Sequence, residues 1–247
     1  MSDRTAAPTA ISSPSRSAAV DQIFVDYQRL EPGETDAWNP VRSNFELVHR
    51  LCLLHAATTA LRLAPVPIHE LSVLDLGCGN GRSTRMYLDL GLRPEQLNGL
   101  DVRPGAIELA RKLNRSLRFE VYGGQEIPFA DETFTWTQLS TVVSSIKEPR
   151  HRREIVDQIR RKTRPGGCVF YFDLVRANDF AGHDIIHPER LFAGFKVLRR
   201  HGYDGWRFMQ ELDTRSVNFW YLNYSRLKTF LLPVKPTFET LLMAKLD

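Results

Sequence analysis

The chain has 247 residues, 43% of them hydrophobic, with 33 basic against 29 acidic side chains. That length suits one α/β domain, which at this size buries roughly three quarters of its unfolded surface, so neither a metal nor a disulfide is needed to hold it. The net charge of +4 is too small for a nucleic-acid-binding stripe, no apolar run reaches membrane-spanning length, and Cys52, Cys78 and Cys168 lack the CxxC spacing of a zinc or disulfide framework, which suits reduced thiols in the cytoplasm.

In chain order, residues 1–20 are rich in Ala, Ser, Thr and Pro and read as a disordered tail. Ala18 to Leu30 reads as a short helix, and Glu31 to Arg42 as a loop holding Trp38. Ser43 and Glu46 form a capping-box pattern that opens a long helix, with Leu47, Leu51, Leu54 and Leu61 on one face and Pro65 and Pro67 beyond its end. The pattern then becomes strand, turn, helix, repeated. Strands are expected at Ser72–Leu76, Leu97–Asp101, Leu117–Tyr122, Phe134–Leu139 and Cys168–Leu174. Between them, Gly91 is placed to stop one helix, Pro104 to start another that runs to Asn114, and a third runs from Arg150 to Thr163. Its arginines (Arg150, Arg152, Arg153, Arg160, Arg161, Arg164) read as a solvated face. Phe195–Arg200 and Phe238–Leu246 are the last expected strands. Val217, Trp220, Tyr221, Tyr224, Leu227 and Leu231 share a helical face and read as core. Strands alternating with helices imply a parallel sheet covered on both faces. With no repeat and no long linker, residues 21–247 read as one domain. It comprises an N-terminal helical lid region (21–70), a ligand-binding core (71–175) and a substrate-side region with the last strands (176–247).

The residues Asp75-Leu76-Gly77-Cys78-Gly79-Asn80-Gly81 carry the strongest chemical signal. Glycines at a strand-to-helix turn let the backbone come close to a ligand, and the amides that open a helix favour a negative group. A dinucleotide fingerprint has glycine or alanine five residues after its first glycine; here that position is Arg82. Cys78 reads as packing within the turn. Asp101 ends the second strand, 20 residues beyond Gly81. Such a carboxylate accepts hydrogen bonds from ribose hydroxyls; the alternative is a charge at the start of the helix that Pro104 opens. The polar run Ser140-Thr141-Val142-Val143-Ser144-Ser145 reads either as the wall of a crevice at a strand end or as a helix cap with its own backbone bonds.

On these residues the chain resembles the class I S-adenosylmethionine-dependent methyltransferases, from about Ser72 to Leu174. The resemblance implies a Rossmann-like, doubly wound sheet of seven strands, mostly parallel with an antiparallel last strand. It implies that Gly77, Cys78, Gly79, Asn80 and Gly81 wrap the methionine part of the cofactor. Asp75 would reach its amino end, directly or through water, Asp101 would hold both ribose hydroxyls and Val102 would pack near the adenine. Tyr122-Gly123-Gly124-Gln125-Glu126-Ile127-Pro128-Phe129 is similar to the family's Gly-Asp-Ala-Glu-x-Leu-Pro-Phe, except that Gly123 stands where the family often has an adenine-reading aspartate. Gly124 and Gln125 are the remaining adenine candidates there. Leu139 and Ser140, with Gln138 beside them, would face the sulfonium and the acceptor, and Ser144 the substrate. Thr163-Arg164-Pro165-Gly166-Gly167 matches the family's Leu-Arg-Pro-Gly-Gly turn before the fifth strand.

The implied activity is methyl transfer, leaving S-adenosylhomocysteine as product. A base is needed only if the acceptor loses a proton; His183, beside Asp184, and Asp173 are the candidates. Tyr27 and Trp38 are the candidate lid residues. The chain lacks the Asn/Asp-Pro-Pro-Tyr/Phe and Pro-Cys motifs of base-modifying enzymes, so a small organic acceptor methylated on oxygen or nitrogen is expected, with no nucleic-acid, membrane or metal partner. Two other readings stay open. A nicotinamide-dependent oxidoreductase is disfavoured by Arg82. A non-catalytic adenosylmethionine-binding module is left room by Gly123.

Overall fold

A computed structural model describes residues 44–174, 186–203 and 238–246. The expected tail, the helix over 18–30, the loop with Trp38, and also Tyr27, Ser43, His183 and the stripe from Val217 to Leu231 lie outside the described residues.

The described strands are β1 (Val73–Leu76), β2 (Leu97–Asp101), β3 (Arg118–Val121), β4 (Phe134–Ser140), β5 (Thr163–Leu174), β6 (Phe195–Tyr203) and β7 (Phe238–Lys245). They form one sheet in the order β3-β2-β1-β4-β5-β7-β6. β1 to β5 pair in parallel, and β7 runs antiparallel to both β5 and β6. All four residues of β1 are buried, as a strand covered on both faces requires. The winding reverses between β1 and β4, and at such a switch point the strand ends splay into a crevice.

One face carries α1 (Asn44–Leu61), α2 (Arg82–Asp89) and α3 (Pro104–Leu113), packed with Val73, Trp136, Phe170 and Phe172. The other carries α4 (Pro149–Lys162) and α5 (Pro188–Leu191), packed with Leu74, Leu76, Leu100 and Tyr171. Gly91 takes φ +93° just after α2, and Pro104 and Pro149 open α3 and α4, as their fixed φ favours.

Two expectations shift. The buried stripe of α1 is Val48, Cys52, Leu53, Ala56, Ala57, Ala60 and Leu61, while Leu54 is 37% exposed. Small side chains let this helix settle closely on Phe170 and Phe172, turning the leucine row partly outward. The turn at Pro165-Gly166-Gly167 lies inside β5 rather than before it. Phe134 pairs with Thr163 and Trp136 with Cys168, so the strand bulges outward, with Gly166 at φ +70°, as an unpaired insertion does.

Candidate functional site

β1 ends at Leu76, and the chain turns through Gly77, Gly79 and Gly81 at φ +76°, +56° and +77°, a region open to glycine at little cost. The Gly77 and Cys78 amides donate to the Leu100 carbonyl at 2.7 and 2.9 Å, which ties the turn to β2. A Cβ on Gly77 would overlap Val142 after β4. The turn is therefore wedged between two strand tips.

Asp101, at the tip of β2, is the polar partner of this turn. Its Oδ2 accepts from the Gly79 amide at 2.8 Å. Its Oδ1 accepts from the Arg103 amide at 2.9 Å and from Arg103 Nε at 3.2 Å. Arg103 caps α3, so the helix-start role of Asp101 is present as well. A carboxylate offers about four acceptor positions; these three bonds leave Oδ2 able to take one hydroxyl, short of the two expected.

An open cleft runs along this edge of the sheet. Its wall is made by Gly77 to Asn80, by Arg82 and Ser83 at the start of α2, and by Asp101, Val102 and Arg103. Ala106 and Leu109 on α3 and Tyr122, Ser140, Thr141, Val142, Ser145, Ile146 and His151 complete it. Thr141 has φ +55°, a costly conformation for a β-branched residue. It is held there by its amide bond to the Phe172 carbonyl at 2.8 Å and by Ser145 Oγ, which donates to the Thr141 carbonyl at 3.0 Å. The polar run after β4 thus lines the crevice and bonds its own backbone, while the helix that follows is capped by Glu148 and not by this run. On α1, the buried Glu46 pairs with Arg82 at 2.6 Å and with Arg50 at 2.6 Å, fastening that helix to the cleft wall. Burial pushes the Glu46 carboxyl up, against the pull of Arg82.

Several expected site residues stand elsewhere. Gly81 is buried behind the turn against Phe119. Leu139 is fully buried and faces the core. Gly124 and Gln125 line a neighbouring surface groove with His151 and Gln158, and Gln158 donates to the Gln125 carbonyl. Asp75 is fully buried beneath the turn, where Ser83, Thr84 and Gln138 donate to it; burial raises its pKa. Asp173 and Ser144 are brought together, but under the cleft wall. Ser144 donates to Asp173 through its amide at 3.1 Å and its Oγ at 2.5 Å, and the Leu174 amide donates at 2.8 Å. With Oδ2 taken by the Ser144 amide and Oδ1 by the Ser144 hydroxyl and the Leu174 amide, and with burial raising its pKa, Asp173 braces the segment after β4 and does not line the cleft. Cys78 is a buried thiol whose pKa burial pushes well up, in keeping with packing.

Sequence reasoning missed Tyr122, Arg82 and His151 as wall residues. His151 is 7% exposed, and its Nδ1 lies 3.5 Å from Glu154 Oε2. The signal was present: His151 shares the stripe of Ile155, Gln158, Ile159 and Lys162, the inner face of α4. Three arginines of this helix stand in ion pairs, Arg150 with Glu154, Arg160 with Asp157 and Arg161 with Glu126, whereas Arg152 is half-buried and donates to the Ile146 and Lys147 carbonyls. Among the described residues no group of three or more His, Cys, Asp or Glu can hold a metal ion, and no helix is long and apolar enough to cross a membrane.

The glycine turn, the open acceptor position on Asp101 and the start of α2 fit an adenosine that carries an amino-acid arm. Comparison with known proteins agrees. Residues 73–167 match the family model described as "Methyltransferase domain". The chain is 32% identical over 144 residues to phthiotriol/phenolphthiotriol dimycocerosates methyltransferase of Mycobacterium tuberculosis, a stretch that covers 58% of this chain and 48% of that protein. It is 34% identical over 100 residues to the tRNA (carboxymethyluridine(34)-5-O)-methyltransferase of Saccharomyces cerevisiae, covering 40% of this chain and 34% of that one. The chain thus spans about half or less of the length of these curated relatives. The fold is similar to a crystal structure titled as a putative sarcosine dimethylglycine methyltransferase from Galdieria sulphuraria, at TM-score 0.59 and 17% identity, covering 80% of this chain and 86% of that one. Residues 73–167 thus match a methyltransferase domain, and the chain is similar to methyltransferases in sequence and fold, a likeness that implies S-adenosylmethionine as the cofactor.

Proposed function

We propose that this protein methylates an oxygen or nitrogen of a small organic metabolite in the cytoplasm. The observation that carries this is the composition of the cleft wall after β4. Ser140, Thr141 and Ser145 present uncharged polar groups beside the apolar Val142 and Ile146, a surface that suits an uncharged polar acceptor. The relatives named above act on a lipid and on a tRNA. Against a nucleic acid here stands the pairing of Arg150, Arg160 and Arg161 with Glu154, Asp157 and Glu126, which offsets much of the positive field that a phosphate backbone would meet on α4. The three free cysteines, all buried, suit a reducing compartment.

S-adenosylmethionine brings the activated methyl group. The chain's contribution is alignment: Asp101 and the glycine turn fix one end of the ligand, and the β4 tip holds the acceptor. Alignment of this kind lowers a barrier by roughly 7–11 kcal/mol. The test is incubation of the full chain with methyl-labelled S-adenosylmethionine and a fractionated metabolite extract. Label entering a small molecule at oxygen or nitrogen is the expected result. Label entering only RNA or a carbon position overturns the acceptor class.

A further inference from the structure

Beneath the glycine turn runs a buried chain of polar side chains that the reading above does not use. Trp136 Nε1 donates to Tyr87 OH at 2.8 Å, and Tyr87 OH donates to Gln138 Oε1 at 2.6 Å. Gln138 Nε2 donates to Asp75 Oδ1 at 3.0 Å. Ser83 and Thr84 donate to Asp75 Oδ2 at 2.8 and 2.5 Å. Trp136, Tyr87, Gln138, Asp75 and Thr84 are all 0% exposed.

The direction of this chain follows from its chemistry. An indole N–H only donates. Tyr87 therefore receives from Trp136 and passes its own proton toward Gln138. That fixes the amide with its oxygen toward Tyr87 and its NH2 toward Asp75. Asp75 and Gln138 face each other across β1 and β4 in direct register, so the amide reaches the carboxylate without strain. The carboxylate in turn holds the first turn of α2 through Ser83 and Thr84, and Ser83 is part of the cleft wall. Bonds in series in a low-dielectric interior reinforce one another.

We propose that Tyr87 and Gln138 are positioning residues for the amino-acid arm of the cofactor. Acting through Asp75, they set the angle at which the start of α2 meets the cleft. Arg82 and Ser83 stand at this start, where backbone amides and the helix dipole favour a carboxylate. The adenosine is assigned to Asp101 at the tip of β2 and to Val102 after it, and Asp101 bonds Gly79 and Arg103 rather than the buried chain. The inference rests on the adenosylmethionine reading.

The test compares two ligands by calorimetry on the full chain. S-adenosylhomocysteine carries the amino-acid arm, and 5′-methylthioadenosine lacks it. In Tyr87→Phe and Gln138→Leu the first should bind about tenfold more weakly, the order expected for a lost buried hydrogen bond, with the second within about twofold of wild type. Ile155→Val on α4, matched for loss of thermal midpoint, should leave the ratio of the two affinities unchanged. Equal loss of both ligands in the network variants overturns the positioning role, and so does an unchanged ratio. Should Gln138→Leu not fold, Thr84→Val gives the same reading from the other end of the chain. A wild-type protein that binds neither ligand overturns the cofactor reading and this inference with it.

Discussion

The Gly79 amide points at the Asp101 carboxylate from 2.8 Å. One hydrogen bond thus joins the middle of the glycine turn to the tip of the neighbouring strand. The turn and the carboxylate form a single rigid edge, so a change in either is felt at the other.

Asp101→Ala removes an acceptor from Gly79, from Arg103 and from the ribose. Hydrogen bonds to a charged group are each worth about 1.5–3 kcal/mol. S-adenosylhomocysteine affinity, measured by calorimetry, should fall by roughly tenfold to a hundredfold, with secondary structure kept by circular dichroism. Unchanged affinity removes Asp101 from the ribose site.

Two glycines in the same turn should fail differently. An alanine at Gly77 overlaps Val142 and adopts a positive φ besides, so it should lower both the thermal midpoint and ligand affinity. At Gly79 the nearest atom to an added Cβ is Arg103 Nη2 at 3.4 Å. Gly79→Ala should therefore cost only the φ strain, about 1–2 kcal/mol, while the methyl group still crowds the cleft. Gly79→Val should abolish activity. A Gly79→Val variant with wild-type turnover means that the ligand does not touch this turn.

These contrasts mark what a sequence can reveal. Gly77 to Gly81 and Asp101 are legible because local rules place them: strand, turn, helix, then a second strand end. The Asp75–Gln138 bond is not, because it joins residues 63 positions apart, and only the β1–β4 register brings them together. Asp173 was legible as a strand-end carboxylate, but which way its oxygens turn depends on Ser144, 29 residues away. His151 was hidden by its arginine neighbours, whose charge outweighed the helical period. The fold was more readable than the site because periodicity repeats along the chain, whereas a cleft wall takes one or two residues from each element.

His151 reaches both the cleft and the groove that holds Gly124 and Gln125, at the side of the site formed by the end of β3. His151→Ala should weaken S-adenosylhomocysteine and 5′-methylthioadenosine alike, by about three- to tenfold, the value of one hydrogen bond or buried contact. Loss of the amino-acid ligand alone would place His151 at the opposite end of the cleft.

Asp173 gives the sharpest pH test. Its carboxyl is buried, and desolvation raises its pKa above the ordinary 3.8. A raised folded-state value means the native protein keeps this proton longer than the unfolded chain does. The stabilising contribution is therefore complete below 3.8 and drains away as pH climbs through the raised value. Asp173→Asn cannot titrate there. It should cost about 1–3 kcal/mol near pH 4, because the amide accepts fewer of the bonds from Ser144 and Leu174. The deficit should then shrink in urea melts as pH rises from about 4 through the raised folded-state value. Because the side chain lies under the wall, the pH profile of methyl transfer should keep its wild-type midpoint in this variant. A profile that loses its acidic limb would return Asp173 to the role of base.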